Sequence, residues 1–136
     1  MNIIKLEKNN LNQVIRRTIK ILKKRGLVIF PSDTVYGLLV DATNEKAVEK
    51  LIEFKERPKG KPISIFVTNV RTIVTLCKVD LRQKNILNKI LPGPFTAVLD
   101  YKSNKKFNIN KLLLSEKNTL GVRVPDFEHI NKLIQL

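Results

Sequence analysis

Cysteine and histidine each occur once in this sequence, as Cys77 and His129. A lone cysteine excludes an internal disulfide framework and fits a reducing compartment. No Cys/His cluster has the spacing of a metal site. Acidic residues are scarce, with 12 Asp and Glu against 26 Lys and Arg, a net charge of +14. No apolar run approaches a membrane span, and the opening residues MNIIKLEKNN lack the apolar core of a signal peptide. A cytoplasmic location is therefore expected. A Walker-type glycine loop and a G-x-S-x-G nucleophile elbow are also missing. An enzyme made from this set would work by positioning and electrostatics, without a protein nucleophile.

What is present reads as one domain over residues 1–136. Hydrophobic residues make up 43%, enough for a globular core rather than a disordered chain. The charge has two readings. It attracts polyanions such as RNA or nucleotides, or it reflects the abundance of Lys, Asn and Ile typical of AT-rich coding. The spacing of Leu11, Val14, Ile15, Thr18 and Leu22 predicts a helix over 11–24, with Arg16, Lys20, Lys23 and Lys24 on another face. That basic face and the acid-poor loop carrying Lys102, Lys105 and Lys106 are the candidate RNA-binding residues. Strands are predicted over 27–30, 63–67, 95–101 and 119–124, and helices over 45–55, 70–76, 81–91 and 126–136. The segment after Pro31 reads as mixed polar and apolar. Strands alternating with helices indicate an α/β domain.

Three segments can carry chemistry. In PSDTVYGLL a strand runs into Ser32, Asp33, Thr34 and Tyr36, with Gly37 permitting close backbone approach. Strand ends are where α/β proteins bind ligands. The plainer reading is an ordinary turn with Asp33 bonded to local backbone. In FKERPKGKPISIF (54–66), Lys55, Arg57, Lys59 and Lys61 crowd a turn stiffened by Pro58 and Pro62. Several cations on a rigid backbone suit a polyphosphate or carboxylate; a solvated loop is the alternative. In TLGVRVP, alternation puts Thr119, Gly121 and Arg123 on one strand face. An arginine on an apolar strand has a fixed anion as its partner or a surface ion pair. LPGPFTAVL reads as a turn feeding a strand. His129 reads as part of a surface helix, and Cys77 as core.

Taken in order and spacing, GLVIFPSDTVYGLLVDA (26–42), FKERPKGKPISIFV (54–67), LPGPFTAVL (91–99) and LGVRVPD (120–126) resemble the YrdC/YciO-like family, the threonylcarbamoyl-AMP synthases. The resemblance covers nearly the whole chain after the first helix. It implies an α/β fold, a twisted mixed sheet around a concave basic cavity. It implies the joining of L-threonine, bicarbonate and ATP into threonylcarbamoyl-AMP and pyrophosphate, with Mg²⁺ accompanying ATP. Implied partners are tRNA or double-stranded RNA and the proteins that transfer the threonylcarbamoyl group to tRNA. By motif, Thr34, Tyr36 and Arg123 would hold threonine. Lys55, Arg57, Lys61 and Thr119 would meet the nucleotide, with Lys55 and Arg57 catalytic.

The sequence departs from the family pattern in two places. Phe66 stands where many synthases carry a polar residue. The S-A-N segment that completes the nucleotide site in relatives does not occur before Leu136. Three readings stay open: a fragment, half of a split enzyme, or a short relative that binds RNA or nucleotide with impaired catalysis.

Overall fold

Helix ends in this chain are fixed by asparagine and aspartate. In the computed structural model, which describes residues 3–58, 60–103 and 107–135, Asn44 caps α2 (Glu45–Phe54) by accepting from the Ala47 N–H at 3.2 Å. Asn69 caps α3 (Val70–Leu76) in the same way through Thr72, at 3.0 Å. Helix α4 (Leu81–Ile90) opens with a reciprocal box, Asp80 to Gln83 and back. Each cap stabilises its helix by about 1 kcal/mol. Helix α1 (Leu11–Lys23) has no side-chain cap, and α5 (Glu128–Ile134) completes the helices.

The described strands form two sheets. β1 (Val28–Pro31) and β2 (Tyr36–Leu39) pair antiparallel, with Pro31 opposite Tyr36 and Val28 opposite Leu39. β3 (Ile65–Phe66), β4 (Ala97–Asp100) and β5 (Thr119–Arg123) form the second sheet in the order β3-β5-β4. β3 runs parallel to β5 and β4 antiparallel, so the sheet is mixed and the fold α/β.

Several elements differ from the sequence reading. The segment after Pro31 is not merely irregular: it turns back as β2. The strand expected over 63–67 is paired with β5 at Ile65 and Phe66, and Val67 N–H still donates to Arg123 O at the end of β5, whereas Ile63 N–H donates to Leu113 O. Leu113 lies in a short 3₁₀ helix, Lys111–Leu113, in a stretch for which the sequence predicts no element. The last helix is shorter than 126–136, starting at Glu128 after a proline exit.

Two cores result. The larger packs Ile65, Leu120 and Val122 of the second sheet, with Val67 and Val124 just past its strand ends, against α2, α3 and α4. The smaller joins α1, β1 and α5 through Val14, Ile15, Phe30, Ile130 and Leu133. Because side chains alternate along strands, burying Leu120 and Val122 turns Thr119, Gly121 and Arg123 to the opposite face of the sheet. Val98, opposite Gly121, is 66% exposed there.

Candidate functional site

Ser32 shapes the loop that joins β1 to β2. Its hydroxyl donates to Val35 O at 2.7 Å and accepts from the Thr34 N–H at 3.3 Å. The four-residue turn that results leaves Thr34 and Tyr36 on the surface, Tyr36 being 72% exposed. Asp33 goes the other way, with its side chain only 9% exposed.

Asp33 meets Arg123. The guanidinium Nη2 lies 2.6 Å from Asp33 Oδ1, and Arg123 Nε donates to Gly93 O at 3.2 Å. Asp33 Oδ2 accepts from the Asp126 N–H at 3.0 Å. Below the guanidinium lies the Phe66 ring, 5.9 Å from Cζ to centroid, within cation–π range. One ion pair thus ties the β1–β2 loop, the Pro-Gly-Pro turn, the end of β5 and the residues after it. Burial pushes the Asp33 carboxyl up, but the Asp126 N–H, the Arg123 hydrogen bond and the Arg123 charge together hold it below its ordinary value.

The cationic turn is built on itself. Arg57 Nη2 donates to Pro62 O at 2.8 Å and Nε to Lys61 O at 3.4 Å. Gly60 has φ +81°, and a Cβ there would lie 2.7 Å from Glu116 Oε1. So Arg57 braces the turn, while the Lys55 and Lys61 ammonium groups are exposed. A groove of about 690 Å³ runs from this turn between the two sheets, with Gly37–Val40 on one side and Ile63–Thr68 on the other. Lys23, Lys55 and Arg57 line it against a single acid, Asp41, which is bonded to Thr43.

The structure therefore ties Arg123, through Asp33, to the loop that carries Thr34 and Tyr36, and places Lys55 and Arg57 on one groove that also contains Phe66. Thr119 is apart from Arg123. It begins β5, four residues or roughly 13 Å from Arg123, and its hydroxyl is 2.7 Å from Ser115 Oγ. Arg16, Lys20, Lys23 and Lys24 are all exposed on α1, whereas Lys102 Nζ is bonded to Val74 O at 3.2 Å. Lys105, Lys106 and Lys59 lie outside the described residues. Cys77 is fully buried and its thiol is pushed up to about 11 by that burial, so it stays protonated at neutral pH and serves the core.

Asp33 is the site residue that the sequence reading undervalued, as a turn former. The signal was partly available: an arginine on an apolar strand demands an anion, and Asp33 is the acid of the loop after β1. Ser64 was also missed. It covers Gly121, where any Cβ would run into the Ser64 hydroxyl.

Comparison with known proteins follows the same segments. The Sua5/YciO/YrdC family model, described as "Telomere recombination", matches residues 20–136. A Methanocaldococcus jannaschii protein provisionally named threonylcarbamoyl-AMP synthase is 37% identical over 122 residues, 87% of this chain and 56% of that one. A threonylcarbamoyl-AMP synthase of Pyrococcus abyssi is 33% identical over 123 residues, 90% of this chain and 35% of that one. The crystal structure of P. abyssi Sua5 complexed with L-threonine superposes with a TM-score of 0.81 at 29% identity, over 97% of this chain and 37% of that chain. The chain spans about half or less of the length of these relatives.

Proposed function

The chain belongs to the Sua5/YciO/YrdC family, and we propose that it supplies the threonine- and phosphate-binding face of a threonylcarbamoyl-AMP synthase. The observation that carries this reading is the convergence of the Thr34 loop on Arg123 through Asp33, beside a groove rimmed by Lys55 and Arg57. A relative of the same fold is titled as a complex with L-threonine.

In this reading Thr34 and Tyr36 contact threonine. A guanidinium has five N–H donors. Asp33 and Gly93 take one each, so Arg123 retains donors for the threonine carboxylate. The threonine amine takes up bicarbonate with loss of water, giving a carbamate. Its oxygen attacks the α-phosphorus of ATP and pyrophosphate leaves. Bicarbonate, the carbamate and ATP are anions and threonine carries a carboxylate, so fixed cations offset their repulsion and the charge that develops. Lys55 and Lys61 meet phosphates directly, with Arg57 holding the turn that carries them. Thr119 lies toward the nucleoside end.

Mg²⁺ fits as a companion of the ATP phosphates, where it would neutralise charge between phosphoryl oxygens. Among the described residues no three His, Cys, Asp or Glu side chains group to hold a metal by themselves. The test is pyrophosphate release with threonine, bicarbonate and ATP, alongside calorimetry with threonine alone. Threonine binding that is lost in Arg123→Ala supports the site. Unchanged binding in that variant removes Arg123 from it.

A second reading is favoured by the exposed Arg16, Lys20, Lys23 and Lys24 face and the +14 charge. It is an RNA- or nucleotide-binding module with impaired catalysis.

A further inference from the structure

A second cavity, of about 710 Å³, opens where β3 and β5 end, between α3, α4 and α5. That size suits a small-molecule site. It is separate from the groove rimmed by Lys55 and Arg57, and among the described residues Thr68 alone lines both. Arg71 of α3 and Lys84 of α4 supply two cations, and no acid among the described residues lines the cavity. Among those residues neither cation is held in an ion pair. Asn69 and Asn88 add carboxamides. The Asn69 Oδ1 is occupied by the Thr72 N–H at 3.0 Å, so its amide N–H groups are what it can offer a ligand. A set this rich in donors suits an anion with several oxygens.

Asn131 breaks the pattern. It comes from α5 and lines the same cavity, and its Oδ1 is buried with no hydrogen-bond partner among the described residues. A buried acceptor of this kind is destabilising until a donor reaches it. A dianionic phosphate has no proton to give, so the occupant carries a donor beside its anionic group. The remaining wall is apolar, formed by Val74, Leu91 and Val124, and favours a ligand with a flat ring to cover it.

We propose that this cavity binds a ribonucleoside 5′-monophosphate unit. Its phosphate sits between Arg71 and Lys84, a ribose hydroxyl donates to Asn131 Oδ1, and the base packs on the apolar wall. Two sources share this chemistry, a free nucleotide and the 5′-phosphorylated end of an RNA strand. The site is additional to the ATP groove proposed above, and it stands or falls independently of that reading.

The probe is AMP, titrated into the isotope-labelled chain and followed by amide chemical shifts. Residues 68–74, 84–91 and 131 should respond together, and should still respond in Lys55→Gln, where the groove is weakened. The double variant Arg71→Gln, Lys84→Gln should bind AMP at least about tenfold more weakly, the scale of a lost charge-assisted contact. Both side chains are exposed, so its melting temperature should match the parent's. The parent should prefer AMP over its 2′,3′-dideoxy analogue by several-fold. Asn131→Leu should remove that preference without lowering the melting temperature, since no internal hydrogen bond to Oδ1 is lost. A 5′-phosphorylated tetraribonucleotide identifies the source. Tighter binding than AMP assigns the site to an RNA end, and weaker binding to the free nucleotide. The proposal is overturned by an absence of shifts, by shifts confined to the Lys55 groove, or by inorganic phosphate binding as well as AMP. It is equally overturned by parent-like AMP binding in the double variant, or by a hydroxyl preference that survives Asn131→Leu. A lower melting temperature in Asn131→Leu would show that Oδ1 already has an internal partner, and overturns it too.

Discussion

Asp33 and Arg123 decide more than any other pair in this chain. Both side chains are nearly buried, so removing one leaves the other as an uncompensated charge. Asp33→Asn should therefore cost roughly 1.5–3 kcal/mol, the scale of a lost charge-assisted hydrogen bond, read as a drop in the urea midpoint at neutral pH. The folded-state carboxyl lies below its ordinary value. The pair's contribution is therefore complete above the unfolded value of about 3.9 and is lost as pH falls through the lower folded value. The stability gap between parent and variant should close in acid. A gap that persists unchanged at the lowest accessible pH would mean that the ion pair is not its source. Arg57 gives a second prediction. Its fork holds two carbonyls, which an ammonium cannot reproduce. Arg57→Lys and Arg57→Ala should both loosen the turn by about 1–2 kcal/mol, and both should weaken ATP binding more than threonine binding. Equal losses for the two ligands would mean that the turn does not carry the phosphate contacts.

Among the elements, β5 carries the tightest constraint. Gly121 sits under Ser64, with no room for a methyl group. Gly121→Ala should destabilise by about 1–3 kcal/mol through overpacking. Adding Ser64→Gly should recover part of that loss, giving a non-zero coupling in a double-mutant cycle. Strictly additive effects would show that the two positions do not touch. Elements whose ends are set by local chemistry were legible in the sequence. α3 falls on Val70–Leu76 as the spacing predicts, because Asn69 caps it and Leu76 ends its apolar face. β2 was not legible. Its pairing depends on the Ser32 hydroxyl closing the turn and on Pro31 occupying a strand position opposite Tyr36, and neither fact follows from alternation. The shortness of β3 was hidden too, since the Ile63 N–H bonds to Leu113 O of the 3₁₀ turn, which is distant in sequence. For the candidate site, residue types were legible from the motifs. The Asp33–Arg123 contact, spanning ninety positions, required the fold.

Across the whole molecule, charge and topology set the behaviour. The +14 balance and the exposed α1 cations predict RNA binding whose affinity falls steeply with salt, as counterions are released from each neutralised phosphate. Replacing Arg16, Lys20, Lys23 and Lys24 by glutamine should flatten that slope in a fluorescence titration. A slope unchanged in the quadruple variant would place the contact elsewhere. The smaller core has a consequence in time. Its α1, β1 and β2 come from the first part of the chain, but its cover is Ile130 and Leu133 of α5. During synthesis Phe30 leaves the ribosome about a hundred residues before that cover, a wait of roughly 5–20 s at ordinary elongation rates. Through that interval the nascent hairpin presents an apolar face that α5 has yet to cover. Nascent chains arrested before residue 128 should accordingly be captured by ribosome-associated holdases, and chains extended through α5 released from them.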